Sequence, residues 1–567
     1  KKHYFQIVAY QKAADAIDNA TSQVFDLVKE NKLGEIPGIG TTIKERLEEL
    51  VKKGNVAHFE SVLAHVPAAM FPLLEVPSFG PKKAYKLVST FKLTDPKTVI
   101  NDIEKIAQNG KIATLEGFGE KSQADILRAI AEFRKGAGKT TRMLLPFATE
   151  IAEKLVTYLK KCEAVKEAVP LGSLRRKKPT IGDVDIAVAT DDPKTVLEYF
   201  VTYPYKDRVI EKGPNTSSIL TSGGHQIDLM TMPVGSFGSL LQHFTGSKQH
   251  NIHLRDFALR KGLSLSEYGI KKVGESDDKK KPYKTEEEFY HAIGLDWVPP
   301  ELREDTGEIE AAVKHSLPKL VEQKDIKGDL HIHSSFPIEP SHDMGADSME
   351  DMLKKAEQLG YEYLGFSEHN PSLNNHTKQQ IYSLLQKKQE KIEQINSSKK
   401  FIRAINLLEV DIQPDGNLAI DDKAFEYLDG AIVSVHSSFG MDKKAMTDRV
   451  LNGLSHPKAK ILAHPTGRLI NQRGGYELDF EKVFAFCFKH HKALEINAWP
   501  ERTDLPDTLI RQAIAAGVKL VIDTDSHAVV HMDVMRYGVW NARRGWAEKH
   551  AILNTLEYNK FIEWLGK

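Results

Sequence analysis

Two acidic side chains in the stretch Gly172–Val188, GSLRRKKPTIGDVDIAV, could do metal chemistry, because Asp183 and Asp185 lie one residue apart in an apolar run. Residues i and i+2 of a strand point to the same face, so both carboxylates would project together. Like charges held this close repel each other unless a cation lies between them. Two divalent cations about 3.5–4 Å apart would satisfy both groups and could clamp an in-line phosphoryl displacement. Taken alone, the pair fits a solvated strand edge better than a metal site.

Residues around the aspartate pair favour the metal site. Asp228, in the run HQIDLMTM, lies in another predicted strand and supplies a third carboxylate to orient an attacking group. Gly172 and Ser173 form a predicted turn that offers backbone N–H and hydroxyl donors to a triphosphate. Arg175 and Arg176 add positive charge where the β- and γ-phosphates would lie. The stretch therefore predicts a site in which two divalent cations hold a triphosphate for an in-line phosphoryl displacement.

A second set of candidate ligands lies at the ends of predicted strands in the C-terminal part of the chain. Its members are His331, His333, His369, Glu409, His436, His464, Asp525 and His527. A single histidine on a strand is usually a core residue, but eight ligand-type residues at strand ends argue for a site. Imidazole and carboxylate together suit Zn²⁺, Mn²⁺ or iron. The set is too large for one ion, so it predicts a cluster of two or three ions that activates water for phosphoester hydrolysis.

The elements that position these residues change along the 567-residue chain, whose length predicts several domains. Residues 1–140 show helical periodicity and contain three similar segments, IPGIGTTIKERLEEL (36–50), VPSFGPKKAYKLV (76–88) and LEGFGEKSQADIL (115–127). Each combines a tight glycine turn with an amphipathic helix, as helix–hairpin–helix motifs do. Such turns let backbone N–H groups approach a DNA phosphate, although one hairpin alone could serve only for packing. The predicted backbone contacts are at Gly38, Gly40, Gly80, Gly117 and Gly119.

Beyond the helical region the periodicity becomes that of strands. Short β-type runs such as DVDIAVAT lie within residues 145–235, and residues 236–315 mix helices with a charged hairpin. After residue 327, seven β-type runs alternate for the most part with helical stretches, which predicts parallel βα units. Seven such units favour a closed barrel over an open sheet.

Charge and composition narrow the function classes. The net charge is zero, so the whole chain carries no nucleic-acid signature. Residues 51–150 hold 15 Lys and Arg against 10 Asp and Glu, whereas residues 321–567 hold 31 against 35, which suggests two different kinds of site. No apolar run of about 18 residues occurs, so we expect no membrane span and no membrane partner. Two distant cysteines, Cys162 and Cys487, cannot form a disulfide framework or a zinc knuckle. We therefore expect a cytoplasmic, nucleoid-associated protein.

The chain resembles the family-X DNA polymerases, typified by polymerase beta. The matching motifs are YQKAADAI, the glycine hairpins, GS…GDVD and HFTGSKQHNIHLRDFALRKGLSLSEYGI. Its C-terminal part resembles the PHP (polymerase and histidinol phosphatase) domain, a fusion found in family-X polymerases of bacteria and archaea. The resemblance implies a multidomain α+β fold with a (β/α)7-type PHP barrel. The implied domains are a helical 8-kDa-like domain (1–80), a duplex-binding fingers domain (81–144), a palm (145–235), a thumb (236–315), a linker (316–326) and the PHP domain (327–567).

The resemblance also assigns roles to residues in the polymerase part. Asp183, Asp185 and Asp228 correspond to the ligands of the two catalytic ions. The implied triphosphate contacts are Ser173, Arg176 and Gly182. His243, Phe244 and Gly246 fall in the segment that senses the sugar, and Asn251 and Arg255 correspond to contacts with the incoming base and the template.

Three departures from the family pattern affect these expectations. The sugar gate is usually an aromatic pair such as Tyr-Phe, so His243-Phe244 leaves ribose discrimination open. Gln226 stands where the vertebrate enzymes carry Arg. Arg46 stands at the position of the lyase lysine, and a guanidinium cannot form a Schiff base. Lys12 and Lys44 lie nearby but do not match, so we predict weak or absent lyase activity.

One motif of the PHP part also departs from its family. The segment HIHSSFPIEPSHDMG has about five extra residues before the next expected ligand. Asp343 is our choice for that ligand and His342 is the alternative. PHP members of this group are associated with 3′→5′ exonuclease, abasic-site endonuclease and 3′-end-cleaning activities, often with Mn²⁺.

The predicted function is that of a monomeric DNA repair polymerase. It would bind gapped or nicked double-stranded DNA and dNTPs, fill short gaps with the palm and trim 3′ ends with the PHP domain. Three alternatives stay open at this point. They are a DNA-end-binding scaffold with a silent palm, a non-templated nucleotidyltransferase, and a phosphoesterase that uses only the PHP barrel.

Overall fold

The computed structural model describes residues 10, 13, 28 and 33 and, from residue 39 to 566, all residues except 54, 64–65, 75, 77–78, 135–141, 222–223, 399–401 and 472–473. The chain divides into two compact units, residues 1–141 and 142–567. Among the helices of this described part, none has the length and apolar character needed to cross a bilayer.

The first unit is helical, as its periodicity predicts. Its helices are α1 (Thr41–Lys53), α2 (Ala57–Leu63), α3 (Met70–Leu74), α4 (Pro81–Thr90), α5 (Val99–Gln108) and α6 (Glu120–Arg134). Three of the repeat glycines directly precede a helix and accept its first hydrogen bonds. The carbonyls of Gly40, Gly80 and Gly119 accept N–H groups four residues on, at 2.9, 3.0 and 3.0 Å. Gly117 has φ +80°, which suits glycine, and Gly38 lies outside the described residues.

The second unit begins with the predicted palm. Its elements are β1 (Met143–Leu144), α7 (Leu145–Leu159), β2 (Glu167–Pro170), α8 (Gly172–Arg175), β3 (Thr180–Ile181), β4 (Val184–Ala189), α9 (Pro193–Phe200), β5 (Lys206–Lys212), β6 (Thr216–Thr221) and β7 (Gln226–Met232). Five strands form one sheet in the order β2-β4-β7-β6-β5. β4 and β7 run parallel, and their register places Asp185 beside Asp228. Helices α7 and α9 cover the sheet, where Leu155, Val188 and Phe200 are fully buried.

The predicted thumb follows the palm sheet. It contains α10 (Phe237–Thr245), α11 (Lys248–Arg260), β8 (Leu263–Ser266), β9 (Gly269–Lys272), α12 (Glu286–Ala292) and α13 (Glu308–Val313). Its core includes a buried ion pair, in which Arg303 Nη1 lies 2.6 Å from Glu286 Oε1. The expected linker after it packs on the C-terminal domain, because the Val321 N–H donates to the Ala547 carbonyl at 2.9 Å.

The C-terminal domain contains all seven of the predicted strand runs. Its strands are β10 (Gly328–Ile332), β11 (Tyr363–Phe366), β12 (Arg403–Asn406), β13 (Glu409–Asp411), β14 (Ala431–Ser434), β15 (Ala459–Leu462), β16 (Ala493–Asn497) and β17 (Lys519–Asp523). Its helices are α14 (Met349–Leu359), α15 (Lys378–Ser398), α16 (Lys443–Leu454), α17 (Phe480–Lys489), α18 (Asp507–Ala515), α19 (Met535–Arg544) and α20 (Tyr558–Gly566).

These strands do not form the closed seven-stranded barrel that the sequence predicts. Among the described residues they form two parallel sheets, of three strands (β10-β11-β12) and five strands (β13 to β17). The break arises inside the expected run NLLEVDI: the chain leaves the first sheet at Asn406 and enters the second at Glu409. Single bridges, Ile332–Ser526 and His369–Glu409, join the sheets on either side. Ile332, Ser526 and His369 lie at or just after the carboxyl ends of β10, β17 and β11. Because His369 pairs there with Glu409, the first residue of β13, the predicted ligands still converge.

Candidate active sites

The palm carboxylates lie on two neighbouring strands. Asp185 on β4 and Asp228 on β7 are register partners, and Asp183 lies just before β4 and is exposed. The pKa of Asp185 is raised to about 6, first by burial and then by the negative charges of Asp228 and Asp183. The three carboxylates therefore interact, as the sequence predicts, and their repulsion favours a bound cation.

Gln226 controls the orientation of the third carboxylate. Its Nε2 donates to both oxygens of Asp228, at 3.0 and 3.1 Å. A neutral amide at this position holds the carboxylate in place without adding the positive charge that an arginine would bring.

The predicted phosphate loop lies directly beside the aspartates. Gly172 opens α8 with φ +57°, and a Cβ atom on it would lie 3.4 Å from Asp185 Oδ2. Gly182 lies close to Arg142, a cation not identified from the sequence, since a Cβ atom on Gly182 would lie 3.1 Å from Arg142 Nη1. Arg142 donates to the hydroxyl of Thr180 at 2.9 Å and to the carbonyl of Thr180 at 2.8 Å. No motif marks Arg142, and only the pairing of β1 with β3 brings it here.

The two loop arginines have different partners in the thumb. Arg175 forms a bidentate pair with Glu286, at 2.9 and 2.6 Å. Arg176 Nε lies 3.0 Å from Glu304 Oε1, and its Nη1 donates to the Thr245 carbonyl at 2.5 Å. Both arginines are thus paired with a thumb carboxylate, and both donate to Thr245 at the end of α10.

The predicted sugar and base contacts come together at the junction of α10 and α11. The rings of His243 and Phe244 meet edge to face, with centroids 4.8 Å apart. Asn251 Nδ2 donates to the His243 carbonyl at 2.7 Å, and Arg255 Nη2 lies 3.4 Å from His243 Nδ1. Burial lowers the pKa of His243, which keeps its imidazole neutral. Arg176 adjoins this group, because a Cβ atom on Gly246 would lie 3.0 Å from its Nη1.

In the C-terminal domain, Glu409 at the start of β13 is the centre of the histidine cluster. Its carboxylate lies 3.1 Å from His331 Nε2, 2.9 Å from His369 Nδ1, 3.1 Å from His464 Nε2 and 3.4 Å from His436 Nε2. Although burial alone would raise it, the pKa of Glu409 lies well below its usual range because these imidazoles surround it. Asp525 lies 3.4 Å from His333 and 3.6 Å from His331, so it joins the same group.

The geometry distinguishes the two candidates in the extended motif. Asp343 bridges two predicted ligands, with its carboxylate oxygens 3.3 Å from His369 Nε2 and 3.2 Å from His527 Nε2. His342 points to a different partner, and its Nε2 lies 3.1 Å from Asp411 Oδ1. Asp343 therefore contacts two predicted ligands, and His342 belongs to a separate three-ligand set with Asp411 and His436.

Two further carboxylates orient the cluster and were missed from the sequence. Glu495 lies 2.6 Å from His331 Nδ1, and Asp411 lies 2.7 Å from His436 Nδ1. Carboxylates that hold the outer nitrogen of a ligating histidine fix its tautomer and direction. The available signal was a charged residue within an otherwise apolar strand, as in ALEINAW for Glu495 and LLEVDI for Asp411.

The cluster fits a group of metal ions. Buried ligand atoms that lie close to one another but form no well-aligned hydrogen bond converge there, including His331 Nε2, both ring nitrogens of His333, His369 Nδ1, His527 Nε2 and Glu409 Oε2. Within the described part of the chain, the sets of three ligand atoms that approach within 4.8 Å all belong to this domain. They are His331–His333–Asp525, His333–His369–His527, His369–Glu409–His436 and His342–Asp411–His436.

Comparison with known proteins matches two parts of the chain to known families. Residues 240–304 match the family model of the DNA polymerase beta thumb, and residues 329–498 match that of the PHP domain. The DNA polymerase/3′-5′ exonuclease PolX of Bacillus subtilis (strain 168) is 34% identical over 97% of this chain and 93% of its own length. DNA polymerase lambda of Rattus norvegicus is 22% identical over 53% of this chain and 52% of its own. A probable phosphatase of Clostridium acetobutylicum is 27% identical over 35% of this chain and 78% of its own. The chain therefore belongs to the PolX family, the family-X DNA polymerases that carry a PHP domain.

Proposed function

We propose that the palm of this protein extends a primer 3′ end on gapped or nicked double-stranded DNA with dNTPs. Asp183, Asp185 and Asp228 would hold two Mg²⁺ or Mn²⁺ ions, which supply positive charge to the triphosphate and the attacking oxygen. Asp228, oriented by Gln226, would face the primer 3′-hydroxyl. Ser173, Gly182, Arg176 and Arg142 border the expected triphosphate position. The observation that carries this proposal is the pairing of Asp185 with Asp228 beside the loop at Gly172.

We further propose that the PHP cluster removes nucleotides or blocking groups from 3′ ends. Its ligands would be His331, His333, Asp343, His369, Glu409, His436, His464, Asp525 and His527, enough for two or three Zn²⁺, Mn²⁺ or iron ions. Bound ions would supply an activated water for phosphodiester hydrolysis. Glu495 and Asp411 would keep two of the imidazoles directed inward. The convergence of these buried ligand atoms supports this proposal.

The helical unit would bind the DNA backbone on either side of a gap. Gly40, Gly80 and Gly119 each open a helix, a geometry that suits contact with phosphate, and Gly38 and Gly117 belong to the same turns in the sequence. Such contacts carry no base information, which suits an enzyme that acts on gaps of any sequence. We further propose that the protein acts as a monomer at the nucleoid, in DNA repair.

A gapped-duplex assay with matched variants tests the proposal. We expect templated incorporation and 3′→5′ degradation by the full chain with Mn²⁺. Asp183→Ala should abolish synthesis and leave degradation, and His331→Ala should do the reverse. Synthesis without a template would identify a non-templated transferase. Degradation alone would identify a phosphoesterase, and DNA binding with neither activity would identify a scaffold. Loss of both activities in either variant would contradict the two-site proposal.

A further inference from the structure

One helix of the C-terminal domain also contacts the palm and the thumb. α19 (Met535–Arg544) begins eight residues after the predicted ligand His527. Its residues Met535, Val539 and Ala542 pack in the core of the C-terminal domain, and other residues of the helix face the palm and the thumb. Tyr537 is 7% exposed and belongs to the hydrophobic core of the palm. Lys177, at the end of the phosphate loop, places its Nζ 3.9 Å from the ring centroid of Trp540.

The last residue of this helix reaches the phosphate loop itself. The side chain of Arg544 is 1% exposed. Its Nη1 donates to the carbonyl of Arg176 at 2.7 Å and to Glu304 Oε1 at 3.0 Å. Its Nη2 pairs with Asp507 Oδ2 at 2.5 Å, which anchors the guanidinium to the C-terminal domain. One side chain of the PHP domain therefore fixes the backbone of a residue beside the dNTP position.

Glu304 is shared between two guanidinium groups. The same Oε1 that accepts from Arg544 also accepts from Arg176 Nε at 3.0 Å. Burial alone would raise the pKa of Glu304, but Arg544 and Arg176 hold it at about 2, so its charge is permanent at neutral pH. A carboxylate that is already neutralised by Arg544 holds Arg176 less tightly. Without Arg544, Glu304 would keep Arg176 for itself and compete with a triphosphate for that guanidinium.

We propose that Arg544 of the PHP domain is a positioning residue of the polymerase site. It anchors the carbonyl of Arg176 and shares Glu304, so that the Arg176 guanidinium can turn toward the triphosphate of the incoming nucleotide. This inference rests on the proposed triphosphate site. It means that the polymerase half uses a residue of the nuclease half to bind its substrate.

The test compares two adjacent arginines of α19 in the full chain. Arg544→Ala should raise the KM for dNTP on a gapped duplex roughly tenfold, because two charge-assisted hydrogen bonds near the substrate are lost. Arg543 offers the matched control, since its Nε lies 2.8 Å from Glu301 Oε1 and its partners do not include Arg176. Arg543→Ala should leave that KM within about twofold of the wild-type value. The 3′→5′ exonuclease rate should stay unchanged in Arg544→Ala.

A second substitution separates positioning from general stability. Glu304→Gln in the Arg544→Ala background removes the competing charge, so it should restore part of the lost dNTP affinity. An unchanged KM in Arg544→Ala, an equal rise in Arg543→Ala, or no rescue by Glu304→Gln would each overturn the proposal. Should Arg544→Ala not fold, Arg544→Lys retains the charge without the planar fork and must still raise the KM. If the wild-type chain incorporates no dNTP at all, the proposed polymerase function fails instead, independently of Arg544.

Discussion

The two candidate metal sites place their carboxylates in opposite electrostatic surroundings. In the palm, carboxylates face carboxylates, and the pKa of Asp185 is raised to about 6 by burial and by Asp228 and Asp183. In the PHP cluster, imidazoles separate the carboxylates, and the pKa of Glu409 lies well below its usual range. The central acid of one site is thus destabilised by its neighbours, whereas that of the other is stabilised by them.

This difference bears on how each site is assembled. The PHP ligands approach within 4.8 Å of one another in sets of three, and outer carboxylates hold two of the histidines. In the described part of the palm, Gln226 bonds Asp228 but brings no positive charge, so we expect metal and nucleotide to neutralise these carboxylates. We infer that the PHP cluster is preorganised for tight, resident ions, and that the palm binds its ions weakly and with substrate.

Of the substitutions that test this difference between the sites, those of the outer carboxylates of the PHP cluster should have the largest effect. Glu495→Gln removes the charge that orients His331 and should weaken Mn²⁺ binding and exonuclease activity by about 10–100-fold. Asp411→Asn should act similarly through His436. Titration of the metal-depleted protein with Mn²⁺ measures the affinity, and the 3′→5′ rate on single-stranded DNA measures the activity.

Asp415→Asn is the matched control for the Asp411 substitution. Asp415 lies nearby in the chain, is exposed and bonds only locally, accepting from Asn417 at 3.0 and 2.8 Å. Asp415→Asn should change neither the Mn²⁺ affinity nor the 3′→5′ rate. Mn²⁺ affinity that stays within about twofold of wild type in Glu495→Gln would show that the cluster does not depend on preorganisation by its outer carboxylates.

The sequence indicated which residues the fold brings together at the two candidate sites more fully than it indicated the architecture around them. Spacing within one strand, as in DVDIAV and DLHIHS, reports which side chains share a face. It does not report how strands close on one another, so the interruption between Asn406 and Glu409, which divides the expected barrel into two sheets, was not visible. The residues missed at the sites, Arg142, Glu495 and Asp411, depend on contacts between distant segments.

The sequence also does not show which carboxylate pairs with each of the two loop arginines. Arg175 and Arg176 are adjacent and chemically identical, and both suit a phosphate. Only the fold brings Glu286 against Arg175 and lets Glu304 be shared between Arg176 and Arg544. Long-range ion pairs of this kind have no local signal, because either partner alone looks like a solvated charge.

A pH-dependent stability difference is the next test, and it concerns the palm. Burial, and then the charges of Asp228 and Asp183, raise the pKa of Asp185 from 3.8 to about 6 in the folded protein, so its ionisation destabilises the fold. The penalty is absent below pH 3.8 and complete above pH 6. In metal-free protein, Asp185→Asn should raise the free energy of unfolding by about 1–3 kcal/mol at pH 8 and by much less near pH 4.5.

Urea unfolding in the presence of a chelator measures the free energy of unfolding of the metal-free protein. Asp183→Asn should give a smaller gain, since Asp183 is exposed and screened by solvent. Millimolar Mg²⁺ should narrow or reverse the gain of Asp185→Asn, because the wild-type carboxylates then have a cation. A gain in the free energy of unfolding that is the same at both pH values would contradict the prediction that the ionised Asp185 carboxylate destabilises the fold.

The smallest effect is expected where the palm does have an internal partner. Gln226→Ala removes the two hydrogen bonds to Asp228 and should lower kcat for incorporation about 3–10-fold, with the KM for dNTP unchanged. Single-turnover incorporation on a gapped duplex measures the rate, and the exonuclease rate of the same variant serves as the internal control. An unchanged kcat would mean that bound ions alone orient Asp228. The two sites would then differ more strongly. Bound ions would orient Asp228 in the palm, whereas Glu495 and Asp411 would orient the histidines of the PHP cluster.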